Sequence, residues 1–175
     1  KCDFKNQINP KKLSLNINKW IYSELIETKN LTEKYIKNYR FDEASRVIYK
    51  FVWNSYCDWY LELSKTILFS KNKKYIKEVK TTSGFVFKEA LILLHPFIPF
   101  ITEELWLKNK LGSKKEKYLM YTSWIKDRKL HKDKETANVN QVIDIISKIR
   151  SFKNELNVSP GSFIDISIQN VGKEK

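Results

Sequence analysis

The sequence predicts an all-α protein: a bundle of about five helices, with one extended segment and a short C-terminal β fragment. Apolar residues recur at helical spacing over long stretches. Only four Gly and four Pro occur in 175 residues, which leaves few turn residues for a β-sandwich or barrel. Apolar residues make up 42% and aromatic residues 14% of the chain, so it can form a packed core and is not a disordered chain.

The first helix is predicted to begin near Leu15, where apolar residues start to recur at helical spacing. Asn16 or Asn18 is the expected N-cap, because an Asn side chain accepts hydrogen bonds from free backbone N–H groups. The helix is expected to end near Asn38 and Tyr39.

The second helix is predicted from Asp42 to Phe69, a stretch without Gly or Pro. At α-helical spacing it presents one wide apolar face, formed by Ala44, Val47, Ile48, Phe51, Val52, Trp59, Leu63 and Ile67. A third helix follows from Asn72 to Leu94, and Pro96 ends it because proline disfavours the α conformation at the preceding residue.

Pro99 is predicted to be the first residue of a fourth helix, with Glu103 and Glu104 in the first turn. Residues 118–124 are expected to be extended, with their aromatic side chains anchored on the bundle. A fifth helix is predicted over 135–156, and the period-two alternation of 163–168 is typical of a strand.

We therefore expect three parts in the chain. Residues 1–14 form a leader or linker, residues 15–157 form the helical domain, and residues 158–175 begin a small element that contains the β fragment.

The charge of the chain is strongly positive, with 33 Lys and Arg against 20 Asp and Glu, a formal net charge of +13. This excess favours a polyanionic partner and ranks RNA first. A Lys- and Asn-rich composition can also arise without any selection for nucleic-acid binding, and charge alone does not decide between the two. Two Lys clusters stand out, at 71–80 and at 108–117.

Several other classes are poorly supported by the sequence. His95 and His131 have no Cys or His neighbour at zinc-ligand spacing. Two cysteines, Cys2 and Cys57, are too few for a disulfide scaffold. No apolar run is long enough to cross a bilayer, so we expect no membrane partner. No apolar stretch follows the first charged residues, as an export signal would require, so we expect the protein to lie in the reducing cytoplasm.

The best candidate for RNA binding lies on the second helix. Arg46, Lys50 and Asn54 follow one another at spacings of four, which places them on one polar stripe, and Trp53 borders it. Cations suit phosphates, and an exposed aromatic ring suits an unstacked base. The alternative is an ordinary solvated face, with Trp53 packed against the first helix.

Two further arginines are candidates for contacts with RNA. Arg40, at the junction of the first two helices, could bind a phosphate or the last carbonyl groups of the first helix. Arg150 lies on a second polar stripe, in the last helix, and its planar side chain suits a bidentate grip on phosphate.

Several segments resemble the valyl-tRNA synthetases, a family of class I aminoacyl-tRNA synthetases. The matching runs are YRFDEA at 39–44, CDWYLE at 57–62, LLHPFIPFITEELW at 93–106, and the extended segment that ends at Trp124. The resemblance covers roughly residues 15–168, in the right order and spacing. Sister ligases carry looser versions of the 93–106 run, and CDWYLE together with His95-Pro96 points to the valine family.

The resemblance implies an anticodon-binding domain that holds the anticodon stem-loop of tRNA(Val). It implies a parent valine–tRNA ligase that uses ATP and Mg²⁺, with catalytic and editing domains before residue 1 and a coiled-coil arm after residue 175. The HIGH and KMSKS motifs of that class are not in the sequence, so we expect no catalytic residue, cofactor or metal in this chain. We also expect the chain to be a monomer. Two alternatives stay open: a helical scaffold without anticodon readout, and the same domain of a sister ligase for isoleucine.

Overall fold

The structure, a computed structural model, describes residues 8–112, 117–125, 134–159, 161–165 and 167. The helices are α1 (Asn16–Lys37), α2 (Phe41–Lys50, Phe51–Leu61 and Glu62–Leu68 in succession), α3 (Lys73–Leu94), α4 (Pro99–Lys108) and α5 (Lys134–Glu155). Short 3₁₀ turns occur at Pro10–Lys12 and Leu119–Tyr121. The predicted all-α bundle of about five helices is confirmed. The chain divides into two compact units, one up to Val139 and one from Asn140.

The core of the first unit lies between α1, α2 and α3, which pack against one another, with α4 against α3. Each helix contributes aliphatic side chains that are almost completely buried, and Trp106 of α4 is 1% exposed. The largest of these residues are Ile21, Leu25 and Ile26 of α1, Ile48 of α2, and Val79, Val86 and Leu93 of α3.

Two stacked tyrosines of α2 connect the three helices of this core. The rings of Tyr56 and Tyr60 lie 5.8 Å apart, and both side chains are buried. The Tyr56 hydroxyl donates to the backbone oxygen of Ser83 at 3.1 Å. The Tyr60 hydroxyl donates to Oδ1 of Asn18 at 2.8 Å. These bonds satisfy polar atoms that burial would otherwise leave unpaired.

The middle of α2 differs from the predicted straight α-helix, because residues 51–61 form a π-helix. In this segment the buried residues are Phe51, Tyr56 and Tyr60. Because the π-helix has a wider turn, Phe51 and Tyr56 are five residues apart, whereas buried positions on one face of an α-helix recur every three or four residues. The predicted apolar face was therefore partly wrong. Its members Val52, Trp59, Leu63 and Ile67 are half-buried.

The N-terminus of α1 is capped from another helix. The prediction of Asn16 or Asn18 as the cap was wrong: Leu15 stands at the cap position and makes no side-chain bond there. The carboxylate of Glu78 on α3 instead accepts the backbone N–H of Leu15 at 3.0 Å. At the start of α3, Asn72 caps its own helix through Lys74 N–H and Tyr75 N–H.

Helix α1 ends in a left-handed turn at Tyr39, whose φ is 57°. The Tyr39 N–H donates to the Ile36 oxygen at 3.0 Å, and the Arg40 N–H donates to the Tyr35 oxygen at 2.8 Å. This pair of bonds is the Schellman motif, in which the left-handed position is usually Gly. A tyrosine is an uncommon occupant of that position.

The segment 117–125 is attached to the bundle by two carboxylates. Glu103 accepts the backbone N–H groups of Leu119 at 2.9 Å and Met120 at 3.2 Å, and Glu33 accepts Nε1–H of Trp124 at 2.8 Å. Two predictions need correction. Glu103 and Glu104 were predicted in the first turn of α4, but they lie in its second turn, and Glu103 binds this segment. Besides Trp124, the anchors are the buried Leu119 and Ile125, while the Tyr118 and Tyr121 rings are largely exposed.

The second unit begins within α5, which ends in another left-handed turn at Asn157, with φ 53°. The backbone N–H of Val158 donates to the Lys153 oxygen at 2.8 Å. The predicted β fragment is not found: the described residues 161–165 and 167 form no strand. An alternating pattern needs a partner strand to pair with. Ile166 and Ile168 lie outside the described residues.

Candidate nucleic-acid interface

An aromatic pair is exposed on the N-terminal half of α2. The Trp53 and Tyr49 rings are nearly parallel, with centroids 6.3 Å apart and planes 4° apart. Trp53 is 57% and Tyr49 63% exposed. A spacing of four residues brings both rings to one side of the helix. Flat exposed rings of this kind suit stacking with an unpaired base.

The same face of α2 borders an apolar hollow of about 530 Å³. Its wall on the α2 side includes Tyr49, Trp53 and Arg46, whose side chain is 71% exposed. The opposite wall comes from the end of α3 and the turn that follows, with Leu94, Phe97 and Ile98. The hollow thus joins an apolar floor, stacking rings and one cation, which are the groups that bind a splayed nucleotide.

A second hollow, of about 620 Å³, lies on the other side of Phe97. Its lining includes Phe41, Pro96 and Phe97, together with one cation, Lys37, and one carboxylate, Glu33. Phe97 lines both hollows, so the α3–α4 turn is the wall between them.

The α3–α4 turn is held by hydrogen bonds between its two ends. The Thr102 hydroxyl donates to the backbone oxygen of Ile98 at 2.9 Å or of Pro99 at 3.0 Å. Nδ1 of His95 lies 2.8 Å from the same hydroxyl oxygen. The His95 ring therefore hydrogen-bonds to the Thr102 hydroxyl across the turn. These bonds fix the backbone that presents Phe97 to the two hollows.

Arg40 stands at the cap position of α2 with its side chain 57% exposed. Its guanidinium donates to Glu43 at 3.0 Å and lies 5.9 Å from the centre of the Tyr35 ring. Arg46 is a more distant neighbour of the same carboxylate, at 3.8 Å. Glu43 therefore partly neutralises two of the predicted RNA-binding cations, both of which stay accessible from solvent.

The predicted stripe is divided in the structure. Lys50 and Asn54 are exposed, but they do not line the hollow that Arg46 and Trp53 share. Lys50 interacts electrostatically with Glu24 of α1. Burial raises the pKa of Glu24, a hydrogen bond from Ser55 and the charge of Lys50 oppose the rise, and Glu27 adds to it.

Arg150 belongs to the second unit. It is exposed and lines a hollow of about 620 Å³ together with Ile146, Ile149, Lys153 and Asn154. Arg150 and the α2 residues therefore belong to different units of the chain.

Tyr49 and Phe97 line the first hollow but were not predicted as site residues from the sequence. Tyr49 had a readable signal, because it precedes Trp53 by four residues on a polar helix face. Phe97 had none, since its role depends on how the α3–α4 turn folds against α2.

The described residues contain neither a cluster of metal-binding side chains nor a helix that could span a membrane. Among these residues, no three His, Cys, Asp or Glu side chains gather in a way that could hold a metal ion. None of the described helices is long and apolar enough to cross a membrane.

Comparison with known proteins gives consistent matches. A family described as the anticodon-binding domain of tRNA ligase matches residues 18–168. The valine–tRNA ligase of Pelagibacter ubique is 57% identical over 174 residues, which cover 99% of this chain and 20% of that protein. That of Agrobacterium fabrum is 40% identical over 150 residues, or 85% of this chain and 16% of that protein. The chain spans about a fifth of the length of the curated relatives it matches.

Proposed function

The chain belongs to the anticodon-binding domain family of tRNA ligases, and from this premise we propose that it binds the anticodon stem-loop of tRNA(Val) for a valine–tRNA ligase. The valine assignment is supported by relatives of that name, one of them 57% identical over 99% of this chain. The proposed ligase joins valine to its tRNA with ATP and Mg²⁺, on catalytic and editing domains of the same polypeptide. We assign no residue of this chain to that chemistry.

The observation that carries the proposal is the pairing of stacking rings with a cation at one apolar hollow. The parallel Tyr49 and Trp53 rings offer faces to a base, and Arg46 stands in the same wall. A second hollow across Phe97, with Lys37 in its lining, gives room for a neighbouring base. Anticodon loops expose unpaired bases next to phosphates, the chemistry that such a surface recognises.

The remaining predicted residues take supporting roles in this proposal. Arg40 and Lys50 contact phosphates at the edges of the α2 surface, Asn54 hydrogen-bonds to RNA beside Lys50, and Arg150 contacts RNA from the second unit. We further propose that the chain works as a monomer, in the cytoplasm.

Binding of labelled RNA tests the proposal directly. The valine stem-loop and a stem-loop with a swapped anticodon are titrated with this chain at about 50 and 200 mM salt, because phosphate contacts weaken steeply as salt rises. We expect tighter binding of the valine loop. Trp53→Ala should lower its affinity by about 1–3 kcal/mol, the typical value of one stacked base. Arg46→Ala should weaken binding of both loops.

Trp59→Phe is the matched control, since Trp59 lies in the same helix, is half-buried, and lines neither hollow. It should leave RNA affinity unchanged. Equal affinity for both loops in the unaltered protein would contradict anticodon readout and support the scaffold alternative. Preference for an isoleucine anticodon would assign the chain to the sister ligase.

A further inference from the structure

A dense group of lysines surrounds the start of α3. Five lysines lie within ten positions, and all are exposed: Lys71, Lys73, Lys74, Lys77 and Lys80. We refer to these five residues as the lysine patch. Lys73, Lys77 and Lys80 follow one another at spacings of four and three, so they share one stripe of the helix.

The lysine patch is placed where helix electrostatics disfavour it. The N-terminal end of a helix carries partial positive charge and favours acidic residues. The first turn of α3 contains no acidic residue, while that of α2 contains Asp42 and Glu43. Like charges four residues apart, such as Lys73 and Lys77, add further repulsion. The arrangement is locally unfavourable for the fold, and such conflicts concentrate at functional surfaces.

Nearby carboxylates offset the charge of the lysine patch only in part, and none forms an ion pair with it among the described residues. Glu78, on the same helix, is occupied by Leu15 N–H and the Asn18 side chain of α1. Glu62, six residues before the end of α2, pairs with Lys65. Within the described ranges, no ion pair involves any of the five lysines. The field of the patch is therefore open to an external anion.

The lysine patch lies far from the two hollows. Phe97 follows the last turn of α3, whereas the patch occupies its first turns. Leu94 follows Lys73 by 21 residues and Lys80 by 14 residues of α3, so the two sites are separated by about 20–30 Å at 1.5 Å per residue. A single RNA that contacts both must extend beyond an anticodon loop.

We propose that the lysine patch binds the phosphate backbone of the same tRNA at a position about 20–30 Å from the bases read at the hollows. This inference rests on the proposed function and adds a second contact to it. Ammonium groups bind phosphate without reading sequence, so the patch contributes affinity and orientation.

The test compares full-length tRNA(Val) with its isolated anticodon stem-loop. The variant K73Q/K77Q/K80Q removes the stripe, and K34Q/K65Q/K148Q removes the same charge from scattered exposed positions outside both lysine clusters. We expect the stripe variant to bind full-length tRNA on the order of tenfold more weakly, and its log–log salt slope to fall by roughly 2 to 3, about one per lost phosphate contact. Its affinity for the stem-loop should be nearly unchanged.

Thermal unfolding separates lost contacts from lost folding. Since the stripe is unfavourable in α3, its neutralisation should leave the melting temperature equal or higher. A stripe variant that melts lower and loses affinity for both RNAs would overturn the inference.

The remaining outcomes are equally distinct. Equal losses in the stripe and scattered variants would show a general charge effect and overturn the inference, as would unchanged binding of full-length tRNA. A stripe effect on full-length tRNA, together with no anticodon preference in the unaltered protein, would leave the second contact standing and contradict the proposed anticodon readout instead.

Discussion

The side-chain amide of Asn18 donates to Glu78 at 2.9 Å and joins the first turn of α1 to α3. The same carboxylate accepts the backbone N–H groups of Ser14 and Leu15, each at 3.0 Å. Burial disfavours the charged carboxylate, but the hydrogen bonds from Ser14, Asn18 and Leu15 together outweigh it and lower the pKa of Glu78. Glu78 thus serves as the N-cap of α1 from a neighbouring helix.

Replacement of Glu78 by Ala should destabilise the first unit by about 1 kcal/mol, the usual value of a lost N-cap. Because the folded pKa lies below its ordinary value of 4.5, the stabilisation is complete above that pH and is lost as the pH falls through the folded pKa. Urea unfolding at several pH values measures this. Glu104→Ala, at an exposed position of α4, is the control; a Glu78→Ala cost that stayed constant down to pH 2 would contradict the assignment.

Glu24 should show the opposite pH dependence. Its pKa is raised above 4.5, first by burial, so the folded state holds this proton more tightly than the unfolded chain. Stability is then lost as the pH rises from about 4.5 through the folded pKa. Glu24→Gln should raise the melting temperature at pH 7 and leave it nearly unchanged at pH 4. Glu27→Gln, which removes the neighbouring charge that repels Glu24, should give a smaller rise; an equal rise would show that repulsion between the two carboxylates, and not burial of Glu24, is responsible.

The sequence predicted the helices well and their mutual contacts less well. Pro99 at the start of α4 and Asn72 at the cap of α3 are local signals, because each acts through its own backbone geometry. The cap of α1 comes from Glu78, more than sixty positions away, and no local pattern reveals such a partner. Element type is local information, whereas capping between helices belongs to the tertiary fold.

The candidate site was harder to predict because α2 changes its helical period. The stripe of Arg46, Lys50 and Asn54 assumed α spacing throughout, and the π-helix starts at Phe51, within that stripe. The wall of the hollow opposite α2 includes Phe97, whose position is set by the turn after α3. The sequence thus predicted α2 as the candidate binding helix, whereas the opposite wall of the hollow was not predicted.

Tyr39 offers a test of backbone strain. Its φ of 57° is left-handed, a conformation that costs a residue with a Cβ roughly 1–2 kcal/mol. Its ring is 83% exposed, so its removal sacrifices little packing. Tyr39→Gly should therefore unfold at higher urea concentration than Tyr39→Ala, by about 1 kcal/mol in free energy. The two variants differ only by the Cβ, and equal stability would show that the turn carries no strain.

A buried ammonium group is held at the contact between α1 and the segment 117–125. Lys29 is 1% exposed and lies 2.8 Å from the carboxylate of Glu33, which is 27% exposed. Oε1 of Glu33 also accepts Nε1–H of Trp124 at 2.8 Å. The same oxygen of Glu33 thus pairs with the buried Lys29 ammonium and accepts the hydrogen bond from Trp124.

Glu33→Gln should cost about 2–3 kcal/mol in the free energy of unfolding, because it removes a charge paired with a buried ammonium and retains an oxygen for Trp124. Lys29→Met in the Glu33→Gln background should recover most of that loss, since an apolar side chain of similar length needs no counter-charge. The Lys65–Glu62 pair, whose side chains are 57% and 54% exposed, is the matched control, and Glu62→Gln should change stability by less than about 1 kcal/mol. Urea unfolding of the three variants and the unaltered protein measures these costs: equal costs for Glu33→Gln and Glu62→Gln would show that Lys29 is compensated by groups other than Glu33.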